Sequence, residues 1–125
     1  RELQDKIHMS LMLITHDLAV VAEMADRIMV MYCGRIVEKG SRDTIINDCR
    51  HPYTRGLLDS IPRLRTKQRR LQQITGMVPD VTDLPPGCAF APRCSHVQDL
   101  CRMTRPDVGS VAQDHEIACH FPIEN

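Results

Sequence analysis

Three features of the sequence predict an α/β fold: a short apolar run from Met9 to Ile14, an amphipathic stretch directly after it, and two more apolar runs on either side of Cys33-Gly34. Together they predict strand, helix and β-hairpin over residues 1–40. A helical connecting segment follows over 41–75. Residues 76–125 then read as an irregular cysteine-rich extension, holding six of the eight prolines and four of the six cysteines and showing no sustained period of 2 or 3.6.

Met9 to Ile14 is almost continuously apolar and short, the pattern of a strand buried on both faces of a parallel sheet. Leu18, Val21, Ala22 and Ala25 recur at i, i+3, i+4 and i+7, which predicts a short helix with Thr15 or Asp17 as its cap. Ile28 to Tyr32 and Arg35 to Glu38 form the hairpin strands, with Cys33-Gly34 as a two-residue turn and Gly40 as the end of the second. Ser41 with Asp43 starts a further helical turn and a half, ending near Asp48. His51-Pro52 interrupts it before a helix from about Tyr53 to Ser60, stopped by Pro62. Arg63 to Arg70 carries five positive charges and no negative one. Without stacking aromatics, such a run reads as a solvated face rather than a site for nucleic acid or acidic lipid.

Sixteen basic and sixteen acidic residues cancel, so no polyanionic partner is indicated. No apolar run approaches the roughly 18 residues of a spanning helix, and the polar start Arg1-Glu2-Leu3-Gln4-Asp5-Lys6 is not a signal peptide. The sequence opens on Arg in a polar helical pattern, so it is expected to continue something longer. Aromatics make up 3% of the chain and Trp is absent, so aliphatic residues and Met are expected to fill the core.

Two places carry candidate chemistry. His16 follows the first strand and precedes a helix, at the carboxyl end of a sheet where α/β proteins gather ligands. Its imidazole can donate to a phosphate oxygen, although the spacing by itself favours a helix cap. The second place is Cys88, Cys94, Cys101 and Cys119, spaced C-x5-C-x6-C-x17-C. Structural zinc sites usually pair thiolates as C-x2-C, and common ferredoxin spacings differ too, so the pattern offers four soft ligands without naming the guest. His96, His115 and His120 are near enough in sequence to compete as ligands. Cys33 and Cys49 have no partner at ligand spacing and read as structural.

Ile14-Thr15-His16-Asp17-Leu18, then Ala25-Asp26-Arg27-Ile28 and Met31 to Gly40, resemble the end of the ATP-binding domain of ABC transporters, a P-loop nucleotide-binding fold. His51-Pro52-Tyr53-Thr54-Arg55-Gly56-Leu57-Leu58 resembles a segment that marks the ATP-binding subunits of bacterial and archaeal importers for dipeptides, oligopeptides and nickel. The run from Leu84 to Cys94, with Cys101, Pro106 and His115 to Cys119, resembles that subfamily's C-terminal extension. The resemblance implies that His16 is the switch histidine, which senses the γ-phosphate and stabilises the transition state, with Asp17 orienting it. It implies ATP and Mg in the parent subunit, and a [4Fe–4S] cluster on Cys88, Cys94, Cys101 and Cys119, with zinc or disulfides as alternative fates of those cysteines. The implied partners are a second ATP-binding subunit, two transmembrane permease subunits and an extracytoplasmic peptide-binding protein, with the chain peripheral to the cytoplasmic face of the membrane.

No glycine precedes a lysine, so this sequence has no P-loop. It also lacks a Gly-Gly signature and an Asp-Glu pair after an apolar run. The chain alone is therefore expected neither to bind ATP tightly nor to hydrolyse it. A different class of function, a stand-alone metal or iron–sulfur module that binds a protein partner and has no role in transport, is the rival reading.

Overall fold

Adjacent residues in left-handed backbone, Cys33 at φ 46° and Gly34 at φ 76°, close the tight turn around which the fold is organised. Two positive φ values match the twist of flanking strands, which is why such turns join hairpins. In the computed structural model, which describes residues 6–61 and 73–124, this turn joins β1 (Arg27–Tyr32) to β2 (Arg35–Ser41). On β1 alternation decides the faces: Ile28, Val30 and Tyr32 point inward and Met29 and Met31 outward.

Two strands from the cysteine-rich segment extend this hairpin. β3 (Gly109–Ala112) and β4 (His115–Ile117) pair with each other, and β4 lies antiparallel against β2, giving the order β1-β2-β4-β3. A bulge shifts the β1–β2 register: Val30 faces Glu38, but Met31 faces Ile36, and Val37 is left over. Consecutive residues Val37 and Glu38 are therefore both buried.

Side-chain caps start three of the helices. In α1 (Leu18–Met24), Asp17 Oδ1 accepts from the backbone N–H groups of Ala19 and Val20 at 2.9 and 3.3 Å. In α2 (Arg42–Asn47), Ser41 Oγ accepts from Thr44 N–H at 3.1 Å. In α3 (Pro52–Asp59), His51 Nδ1 accepts from Tyr53 N–H at 3.0 Å, and Pro52 occupies the first turn, where a missing N–H is harmless. A short 3-10 turn (Ala91–Arg93) and α4 (Asp99–Met103) complete the described elements.

Three of the four aromatic side chains form the centre of the core. Tyr32, Tyr53 and Phe90 sit with ring centroids 4.7 to 5.3 Å apart, tilted or edge-on as aromatic quadrupoles prefer. Around them pack Ile28, Val30, Val37 and Ile45. The aromatic cluster joins the hairpin, α3 and the segment beside Cys88.

Three expectations are corrected. Met9 to Ile14 is not a strand: it is irregular and exposed, with Ile14 92% accessible. A strand buried on both faces needs neighbours along its edges, and among the described residues the only sheet is antiparallel and does not include this run. Met does not fill the core, since all seven methionines are exposed and the aromatics take that place. The cysteine-rich segment is less irregular than its sequence, because α4 and the β3–β4 hairpin fall within it. The hairpin, α1, α2 and α3 lie where the sequence put them. The basic run from Arg63 to Arg70 and Pro62 lie outside the described residues. Among those described, no helix is long and apolar enough to cross a membrane.

Candidate functional site

Cys88, Cys94, Cys101 and Cys119 line one small cavity of about 20 Å³, enough for a single water-sized guest. Each cysteine comes from a different local structure. Cys88 follows Gly87, and its N–H donates to the Cys101 carbonyl at 2.8 Å. Gly87 is required there: a Cβ would overlap that same carbonyl oxygen and lie 2.6 Å from the carbonyl carbon of Arg102. Cys94 ends the 3-10 turn, Cys101 is buried within α4, and Cys119 follows β4. The 3-10 turn, α4 and the segments that follow Gly87 and β4 therefore each bring a cysteine to the same cavity.

Burial raises the pKa of Cys88, Cys94 and Cys119, the last to about 11, and neighbouring cysteines in the group push each of them further the same way. Backbone N–H groups pull in the other direction: those of Phe90 and Ala91 at Cys88, His96 at Cys94 and Phe121 at Cys119. N–H donors of this kind stabilise a thiolate. Four soft ligands around an apolar space, three of them supplied with amide donors, are chemically suited to a group that holds them deprotonated.

All six cysteines are free thiols, so the disulfide alternative is not realised here. Among the described residues no three His, Cys, Asp or Glu side chains are grouped so as to share one metal ion.

The competing histidines have other roles. His115 is fully buried, its Nε2 lies 2.8 Å from Glu38 Oε1, and it does not line the cysteine cavity. His120 lines the cavity, but its Nε2 donates to the Thr104 carbonyl at 2.8 Å. His96 also lines it. Cys33 and Cys49 do not, and Cys49 is buried elsewhere in the core. His16 is exposed and lies outside the cavity, just ahead of the α1 cap, where Asp17 rather than His16 does the capping.

Sequence reasoning missed two residues that organise the site. Glu38 is fully buried, and its carboxylate accepts from Arg50 N–H at 2.6 Å and His51 N–H at 3.3 Å while pairing with His115. It thereby ties β2, the approach to α3 and β4 together. His51 read only as an interruption before a helix, yet it is 1% exposed and lines the cysteine cavity. Desolvation lowers its pKa to about 4, outweighing the nearby Glu38 charge, so the ring is neutral. Its place in a His-Pro-Tyr run was the available signal.

A family model described as "Oligopeptide/dipeptide transporter, C-terminal region" matches residues 37–101. The dipeptide transport ATP-binding protein DppD of Escherichia coli K12 is 44% identical over 124 residues, covering 99% of this chain and 38% of that protein. DppD of Haemophilus influenzae is 45% identical, covering 98% of this chain and 37% of its own length. A putative peptide import ATP-binding protein of Brucella ovis is 45% identical, covering 95% and 37% respectively. The chain thus spans somewhat over a third of the length of these relatives.

Proposed function

We propose a function from one premise: the chain belongs to the oligopeptide/dipeptide transporter family, through its C-terminal region. It forms the C-terminal part of an ATP-binding subunit that powers peptide import. The observation that carries this reading is similarity to DppD over 99% of the chain, a span that takes in the His16 segment, the hairpin and the cysteine group. That coverage disfavours a stand-alone module, in which only the cysteine-rich part would match. The proposed setting is the cytoplasmic face of the membrane, against two permease subunits and a second ATP-binding subunit, with an extracytoplasmic binding protein delivering the cargo.

In this reading residues 1–40 close the nucleotide-binding domain, 41–75 connect, and 76–125 form the extension. His16 acts on the γ-phosphate of ATP bound, with Mg, by the rest of the subunit. Its exposure leaves the imidazole free to meet a nucleotide. A donor whose bond strengthens as charge develops on the leaving phosphoryl group accelerates hydrolysis more than it tightens binding. In a chain of the relatives' length, His16→Ala should lower ATP turnover at least about tenfold, roughly 1.4 kcal/mol in the barrier, with nucleotide affinity nearly unchanged. Lost affinity with surviving turnover at saturation would overturn the assignment.

Cys88, Cys94, Cys101 and Cys119 are the residues that would hold a [4Fe–4S] cluster, one thiolate per iron. Two findings support a thiolate-bound group here: the four cysteines line one cavity, and amide donors face three of them. The enclosed volume is small, so the cysteine loops must spread to admit it. Such a cluster braces a segment with few large apolar side chains. Prepared without oxygen, the protein should contain about four irons and four sulfides per chain, lose them on Ser replacement of any of the four, and keep them in Cys33→Ser and Cys49→Ser. Colourless, iron-free anaerobic protein would end this part of the reading.

A further inference from the structure

The ring of His51 has one nitrogen in use and one without a partner. Nδ1 accepts the α3 capping bond from Tyr53 N–H, so it carries no proton. In a neutral imidazole the proton then resides on Nε2. That Nε2–H is buried and has no hydrogen-bond partner. The Ala118 carbonyl approaches it without reaching hydrogen-bond geometry. Buried donors are nearly always satisfied, so an orphan of this kind points to a ligand that belongs beside it. His51 is 1% exposed and lines the same cavity as the four cysteines.

We propose that His51 is a positioning residue of the cysteine site, donating its Nε2–H to a sulfur there once the thiolates hold their iron–sulfur group. The inference rests on the cluster reading above. It gives the His-Pro-Tyr run a double role: one ring nitrogen starts α3 and the other addresses the cysteine site, so the orientation of the helix fixes the direction of the donor. Glu38 holds the backbone of Arg50 and His51, so the strand that carries it also fixes the ring. A hydrogen bond to a cluster sulfur stabilises the reduced, more negative state. Its loss should make the group harder to reduce.

The test compares the full chain with His51→Asn, both loaded anaerobically with ferrous iron and sulfide and titrated with dithionite under visible absorbance and EPR. Asn is a good N-cap, so α3 keeps its start, but its side chain is too short to replace the ring donor. The expected result is equal iron content and unchanged far-UV circular dichroism, with reduction disfavoured about tenfold, which is about 59 mV for a one-electron couple. Equal iron with an unchanged potential would overturn the donor role and leave the cluster site standing. A wild-type chain that takes up no iron would overturn the cluster reading itself, and the donor role with it. Should His51→Asn fail to fold, a 15N-histidine-labelled chain in which His96 and His120 are replaced by Gln decides: a hyperfine-coupled ring nitrogen in the reduced state supports the proposal, and its absence overturns it.

Discussion

At the residue scale, the buried Glu38 carboxylate meets three donors at once, two backbone N–H groups and His115. Glu38→Gln keeps the shape but turns an NH2 group toward donors and removes the charge that His115 faces. Breaking a buried pair on one side leaves the other side uncompensated, so the variant should lose about 3 kcal/mol, seen as a fall of roughly 10 °C in Tm. A change within about 0.5 kcal/mol in urea denaturation would show that the network is dispensable. His51 sets an acid limit. Its pKa is 6.5 unperturbed and about 4 when folded, so between these values the unfolded chain binds a proton that the folded chain does not. Stability should therefore rise with pH across this window and fall on acidification, by about 3 kcal/mol in all from this one group. Urea melts of the metal-free chain between pH 4 and 7 measure the slope, and His51→Asn should flatten it.

At the element scale, the loop carrying Cys88 is pressed against α4 through Gly87, and the approach leaves no room for a side chain. Gly87→Ala should push the two apart, costing about 2 kcal/mol. Hydrogen exchange should report it first at the Cys88 amide, whose bond to the Cys101 carbonyl spans the junction, while amides of β1 stay protected. Elements of this kind differ in how far the sequence declares them. The hairpin and three capped helices rest on local chemistry, such as two turn residues or an acceptor before a helix, and local chemistry is legible. The run from Met9 to Ile14 shows the limit, because apolar residues state that a segment should be covered and not what covers it. Glu38 was hidden by the bulge at Val37, which breaks the alternation that would have placed only one of the two neighbours inside. The cysteines were legible as a group through their spacing, but His51 was not, since its role depends on a ring orientation that only the start of α3 fixes.

At the scale of the whole molecule, the chain carries His16, proposed to meet the γ-phosphate, and no P-loop to hold the phosphates. Isothermal calorimetry of this 125-residue chain with Mg-ATP should give no dissociation constant tighter than millimolar, because the cradle of backbone amides and the lysine are absent. A micromolar constant would require a nucleotide site of a kind not described above. The sheet itself joins distant parts of the chain, with Glu38 and His115 separated by 77 positions. During synthesis at about 5–20 residues per second, the ribosome needs roughly 4–15 s to deliver the second after the first. Until then the free edge of β2 is an open template for pairing with another nascent chain, and the carboxylate destined for the interior lacks its counterpart. The yield of folded protein should therefore depend on how well that edge is shielded during this interval.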